Sequence, residues 1–105
     1  MSRPRYAWWG YVKAMVREYP ERQGQALTGT ALREYEAVQA AIEQTERMRG
    51  GHDRLKVIGL VYWKRACTLL GAALQVPCSE RTAQRWSSAF IKTVARNFRC
   101  DSLLD

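Results

Sequence analysis

Leu55-Lys56-Val57-Ile58-Gly59-Leu60-Val61-Tyr62-Trp63 is apolar on nearly every side, and its reading decides the fold. Val, Ile, Tyr and Trp favour pleated surfaces, and a glycine such as Gly59 weakens a helix by about 1 kcal/mol, so local propensity alone points to a β-strand. A strand must pair, however, and no second candidate strand exists elsewhere in the chain. The run is therefore read as a buried helix and the chain as all-α.

Downstream, Thr68 is placed to cap a short helix over Leu69 to Gln75, and Val76-Pro77-Cys78 makes a turn where proline cannot continue the ladder. Ser79 then opens a long helix to about Phe98, whose core face is Ala83, Trp86, Phe90, Ile91, Val94 and Phe98, spaced by threes and fours. A helix-turn-helix requires a small residue where two helices cross, a tight turn, and a second helix that buries one face and presents the other. Ala72 and Ala73 supply the small residues, Val76 and Cys78 flank the turn, and Ala83 with Trp86 anchors the second helix.

The residues left facing outward are of the types that read DNA. Arginine can take guanine bidentately, glutamine adenine, and glutamate can accept from cytosine, each worth roughly 1–3 kcal/mol of discrimination. Glu80, Arg81, Gln84, Arg85 and Ser88 are the expected base contacts, with the helix from Ser79 to Val94 or Arg96 in the major groove. Ser79 and Thr82, at the positive end of that helix, together with Lys64, Arg65, Lys92 and Arg96, are the expected phosphate contacts. A solvated helix face could carry similar residues; the cap, the small residues and the one-sided charge together favour DNA.

Upstream of the apolar run, Arg49-Gly50-Gly51-His52 is a break, expected to act as a hinge. Before it, Thr28 or Thr30 can cap a helix to about Met48 with a stripe of Leu32, Tyr35, Val38, Ile42 and Thr45 opposite Arg33, Glu36, Glu43 and Arg47. Tyr6 to Tyr19 reads as a first helix, begun after Pro4 and stopped by Pro20. Residues 1–50 thus form an N-terminal helical pair and residues 51–105 a three-helix helix-turn-helix unit, either as one compact body or as two hinged parts. The aromatics Tyr6, Trp8, Trp9 and Tyr11 could stack on single-stranded bases, but at helical spacing they read better as core or as a contact between chains. Arg3 and Arg5 are read as a tail rather than as an arm in the minor groove.

A chain of 105 residues, 47% hydrophobic and 26% charged, has the composition of one folded domain. Its formal charge of +7 is unevenly placed. From Arg54 to Arg99 nine basic residues face one acid, Glu80, whereas from Glu21 to His52 five acids nearly balance four bases. Positive charge gathered in one half suits phosphate binding, because neutralising phosphates releases counterions. No run approaches the roughly 20 apolar residues of a membrane span, and the first residues do not form a signal-peptide core, so a cytoplasmic protein is expected. Cys67, Cys78 and Cys100 are odd in number and widely spaced, and His52 is the lone imidazole, so neither a disulfide framework nor a metal site is expected. No nucleophile has a partner at a recognisable spacing; neither enzyme activity nor a cofactor is expected.

The stretch Val61-Tyr62-Trp63 followed by Thr68 to Ala73, then Val76-Pro77-Cys78-Ser79-Glu80-Arg81-Thr82-Ala83-Gln84-Arg85-Trp86 and Phe90-Ile91, resembles the RinA/ArpU-type transcriptional regulators of Gram-positive phages. Those proteins are themselves similar to the helix-turn-helix of sigma factor region four. Tyr6 to Tyr11 and Glu34 to Val38 look like such proteins too. The resemblance implies control of phage transcription, with Ser79 to Ser88 reading a promoter or operator. Pro77 departs from it, standing where most such turns have glycine. Alternatives are the DNA-recognition small subunit of a phage packaging terminase, and an interaction module engaging RNA polymerase through the near-neutral helix Ala31 to Arg47. A homodimer reading two half-sites is a further candidate assembly.

Overall fold

The computed structural model describes residues 8–64, 69–76 and 78–99. Helix α1 spans Trp9–Arg22, α2 Gly29–Glu46, α3 Gly51–Ile58, α4 Leu69–Gln75 and α5 Glu80–Arg99. Between α3 and α4, Gly59–Trp63 continues the α3 chain as a π-helical turn closed by the Lys64 N–H on the Gly59 carbonyl at 2.7 Å. The run 55–63 is thus helical, and no strand occurs among the described residues. Its apolar residues have no sheet to join, so they pair their own backbone groups and bury their side chains between helices. Val57, Ile58, Gly59 and Tyr62 are all buried. The fold class is all-α.

Helix α1 runs past the proline expected to stop it, ending at Arg22 with Pro20 inside. Proline has no N–H, so it leaves the carbonyl four residues back, that of Val16, without its helical donor. The Trp63 indole supplies one, donating to the Val16 carbonyl at 2.8 Å. The same ring lies against Tyr19, with centroids 5.8 Å apart, and meets Phe90 of α5 edge-on at 6.3 Å. A break legible in the chain is thus repaired by a residue remote from it. The expected helix start at Tyr6, the Arg3 and Arg5 tail, the Thr68 cap and the Pro77 turn lie outside the described residues.

Helix α2 packs on both α1 and α5 and must satisfy both. Ala37 and Ala41 are buried and small, which lets α5 approach closely enough for the Asn97 amide to donate to the Ala37 carbonyl at 3.3 Å. On the other side Tyr35 stacks on Tyr19 with centroids 4.9 Å apart. Leu32, expected in the stripe, is 37% exposed, whereas Glu34 is buried at 8%. The Glu34 carboxylate accepts from the Arg22 guanidinium at 2.6 Å and from the Tyr11 hydroxyl, and Arg22 also reaches Glu18 at 2.8 Å. A buried charge in good geometry with two donors is tolerated, where an unpaired one would not be.

Two apolar clusters follow. The larger joins Val12, Met15 and Val16 of α1 and Val38 of α2 to Ile58 and to Phe90, Ile91 and Val94 of α5. The smaller joins Val57, Ala72, Ala73, Val76 and Ala83, so α4 rests on α3 and on the start of α5 through small side chains. Between them the Tyr62 hydroxyl and Ser87 Oγ, both buried, pair at 2.7 Å. The break before α3 is a tight corner: Gly50 has φ +72°, and a Cβ on Gly51 would collide with the Thr45 carbonyl oxygen. No described helix is long and apolar enough to cross a membrane.

Replacing Trp63 with Phe keeps the ring contacts but orphans the Val16 carbonyl, and should cost about 1–3 kcal/mol. Adding Pro20→Ala restores a local donor. Denaturant titrations of the two single variants and the double should therefore show a coupling of at least about 0.5 kcal/mol in the rescuing direction, whereas strict additivity would refute the link.

Burial and the hydrogen bond to Glu34 push the Tyr11 pKa up to about 12, and burial with the neighbouring Tyr35 phenol pushes Tyr19 up to about 12. The folded state therefore holds these two protons more tightly than the unfolded chain. Their contribution is full below pH 10 and is lost as pH rises toward about 12. Urea midpoints should fall across that window, and Tyr11→Phe should flatten part of the fall.

Candidate nucleic-acid interface

Helix α5 begins where the chain can satisfy its first donors. Ser79 Oγ accepts the Thr82 N–H at 3.0 Å and also donates to Thr82 Oγ1 at 3.0 Å, while the Ala83 N–H reaches the Ser79 carbonyl at 3.0 Å. Ser79 is thus an N-cap. Glu80 in the first turn complements the positive end of the helix dipole.

From that start the residues sort by the helical period. Ala83, Ser87, Phe90, Ile91, Val94 and Ala95 are buried. On the opposite side, at about 100° per residue, Arg81, Arg85, Ser88, Lys92 and Arg96 fall within about 80° of arc. They make one stripe about 22 Å long. Arg81, Arg85, Lys92 and Arg96 are exposed and Ser88 is half-buried. Among the described residues none of these four cations is in an ion pair, in contrast to Arg22, which is held by Glu18 and Glu34. Positive charge is therefore neutralised in the interior between α1 and α2 and left open along α5.

The expected contact residues divide accordingly. The structure brings Arg81, Arg85, Ser88, Lys92 and Arg96 onto one face, with exposed Gln84 on its flank and Glu80 at the exposed first turn. Ser79 and Thr82 occupy the cap, and the Thr82 hydroxyl is engaged there. Lys64 is exposed at the end of the π turn, on a different element from the stripe. Arg65 lies outside the described residues. Arg81 and Arg85, expected at base edges, and Lys92 and Arg96, expected at phosphates, share one line along the helix.

The helix is held from behind. Trp86 is half-buried, and the Arg54 guanidinium of α3 lies over its ring at 5.6 Å. Thr93 Oγ1 returns to the Ala89 carbonyl at 2.9 Å, and the Asn97 amide bridges to Gln44 of α2 at 3.3 Å. At the far end Arg33 of α2 stacks on Phe98 at 4.9 Å. Counting charge along the chain includes Arg54 but cannot place it over Trp86, nor Arg33 and Gln44 of α2 beside α5, since these contacts arise only through the fold. Trp8 and Trp9 stack with centroids 5.7 Å apart and pack on the larger cluster. Among the described residues no three His, Cys, Asp or Glu side chains gather as a metal site requires.

Ser79→Ala removes one accepted hydrogen bond at the helix start and should lower stability by about 1 kcal/mol, read from thermal melts, with the helical circular dichroism retained at low temperature. Comparison of the chain with known protein families, with curated proteins and with solved structures gives no match.

Proposed function

We propose that the protein is a sequence-specific double-stranded DNA-binding regulator of transcription, phage- or prophage-encoded, that lays α5 in the major groove. The observation that carries this reading is the unpaired cationic stripe Arg81, Arg85, Lys92 and Arg96 on the outer face of a capped, firmly packed helix. Duplex DNA carries a phosphate charge for roughly every 1.7 Å of axis, and its major groove, about 12 Å wide, admits an α-helix. Arginines with free guanidinium forks can reach base edges there, while Lys92 and Arg96 continue the same line of charge toward backbone phosphates. The contact of α4 with the start of α5 through Ala72, Ala73 and Ala83 supports a helix-turn-helix. The resemblance of Val76 to Ile91 to phage regulators points to the same class.

A selection from random duplexes at physiological salt, followed by binding titrations on the winner, tests the reading. Arg81→Ala and Arg85→Ala should each cost about 1–3 kcal/mol on the preferred site and relax preference at one position. Lys92→Ala and Arg96→Ala should weaken all sequences alike and reduce the salt slope by about 1 each. A wild-type protein that enriches no sequence and binds duplex without salt dependence would sink the proposal.

A further inference from the structure

The corner that joins α2 to α3 lies against the flank of α5. Thr45 and Met48 on one side and Trp86, Ala89 and Thr93 on the other line a narrow cleft. Ala89 stands one turn beyond Arg85, so the corner abuts the edge of the cationic stripe. Residues 46–56 carry four cations, Arg47, Arg49, Arg54 and Lys56, against two acids, Glu46 and Asp53.

The corner, expected to be a hinge, is closed by hydrogen bonds of its own. Gly50 holds a left-handed backbone that other residues adopt only under strain, and a Cβ on Gly51 would collide with the Thr45 carbonyl oxygen. The Met48 N–H bonds the Thr45 carbonyl at 3.0 Å, the Gly51 N–H that of Met48 at 2.9 Å, and the Arg54 N–H that of Gly50 at 2.9 Å. Arg54 also ties the corner to α5, since its Nε donates to the Arg49 carbonyl at 3.3 Å while its guanidinium covers Trp86. Arg54 is thereby occupied. Arg47 and Arg49 are exposed, and neither is in an ion pair among the described residues, although Glu46 and Asp53 are near in the chain.

We propose that Arg47 and Arg49 form a second phosphate-binding element, contacting the backbone of the same duplex whose groove receives α5. This rests on the reading of α5 given above. A helix in the major groove has a phosphate strand on either side, so a fixed cationic corner on its flank meets that strand without first losing loop entropy. Contacts of this kind set the register of a protein on DNA and carry no sequence information.

The test is fluorescence anisotropy of the full chain with a labelled mixed-sequence duplex of about 20 base pairs, at salt from about 50 to 200 mM. Arg47→Ala and Arg49→Ala should each lower the slope of log affinity against log salt by about 0.9, and Arg47→Lys should keep it, because counterion release counts charge. Arg17→Ala, which removes an exposed cation on α1, should leave the slope unchanged. Slopes for Arg47→Ala and Arg49→Ala equal to wild type, with Lys92→Ala still lowering it, would overturn this element and leave α5 as the interface. An equal drop for Arg17→Ala would also overturn it, by reducing the effect to net charge. Wild-type protein that does not bind the duplex would remove both readings together.

Discussion

The Val16 carbonyl is the point on which the fold turns. Pro20 takes away its helical donor, and an unsatisfied carbonyl inside a core costs as much as several good contacts contribute. The Trp63 indole donates to it from another part of the chain, and the same ring meets Phe90 of α5 edge-on. The same π turn carries Tyr62, whose hydroxyl pairs with Ser87, so two adjacent polar contacts join the middle of the chain to α1 and to α5.

Charge is handled in two opposite ways. At the α1–α2 contact, Glu34 is buried and its partners are held close, with the carboxylate raising the Arg22 pKa further above its ordinary value against some desolvation. Along α5 and at the α2–α3 corner, cations are left exposed and unpaired although acids occur elsewhere on the surface. Repulsion along a solvated stripe is weak because water and salt screen it, but it becomes a source of attraction when a polyanion arrives.

What could be read from the chain was what local chemistry decides. Helix α5 is legible because Ser79 and the residues spaced by threes and fours lie within one stretch, and a helix needs no remote partner to satisfy its backbone. The all-α class is legible from a global count: an apolar run with no second strand to pair with. The end of α1 was not, since Pro20 ordinarily stops a helix and its remedy lies 47 residues beyond Val16. The burial of Glu34 was equally hidden, because its carboxylate enters the core only when Arg22 and Tyr11 converge on it from another helix.

Sequence alone, then, determined the helical periods, the cap at Ser79 and the cationic residues of α5, all of which depend on neighbours within a few turns. The tertiary structure decided which of those residues stand free and what stands beside them. Arg47 and Arg49 belong to a segment near neutrality along the chain, and the corner that carries them lies beside α5 through Thr45, Met48 and the stacking of Arg54 on Trp86. Charge is carried by residues, but a binding surface is made by distances, and those are fixed by packing between parts of the chain that the sequence keeps apart.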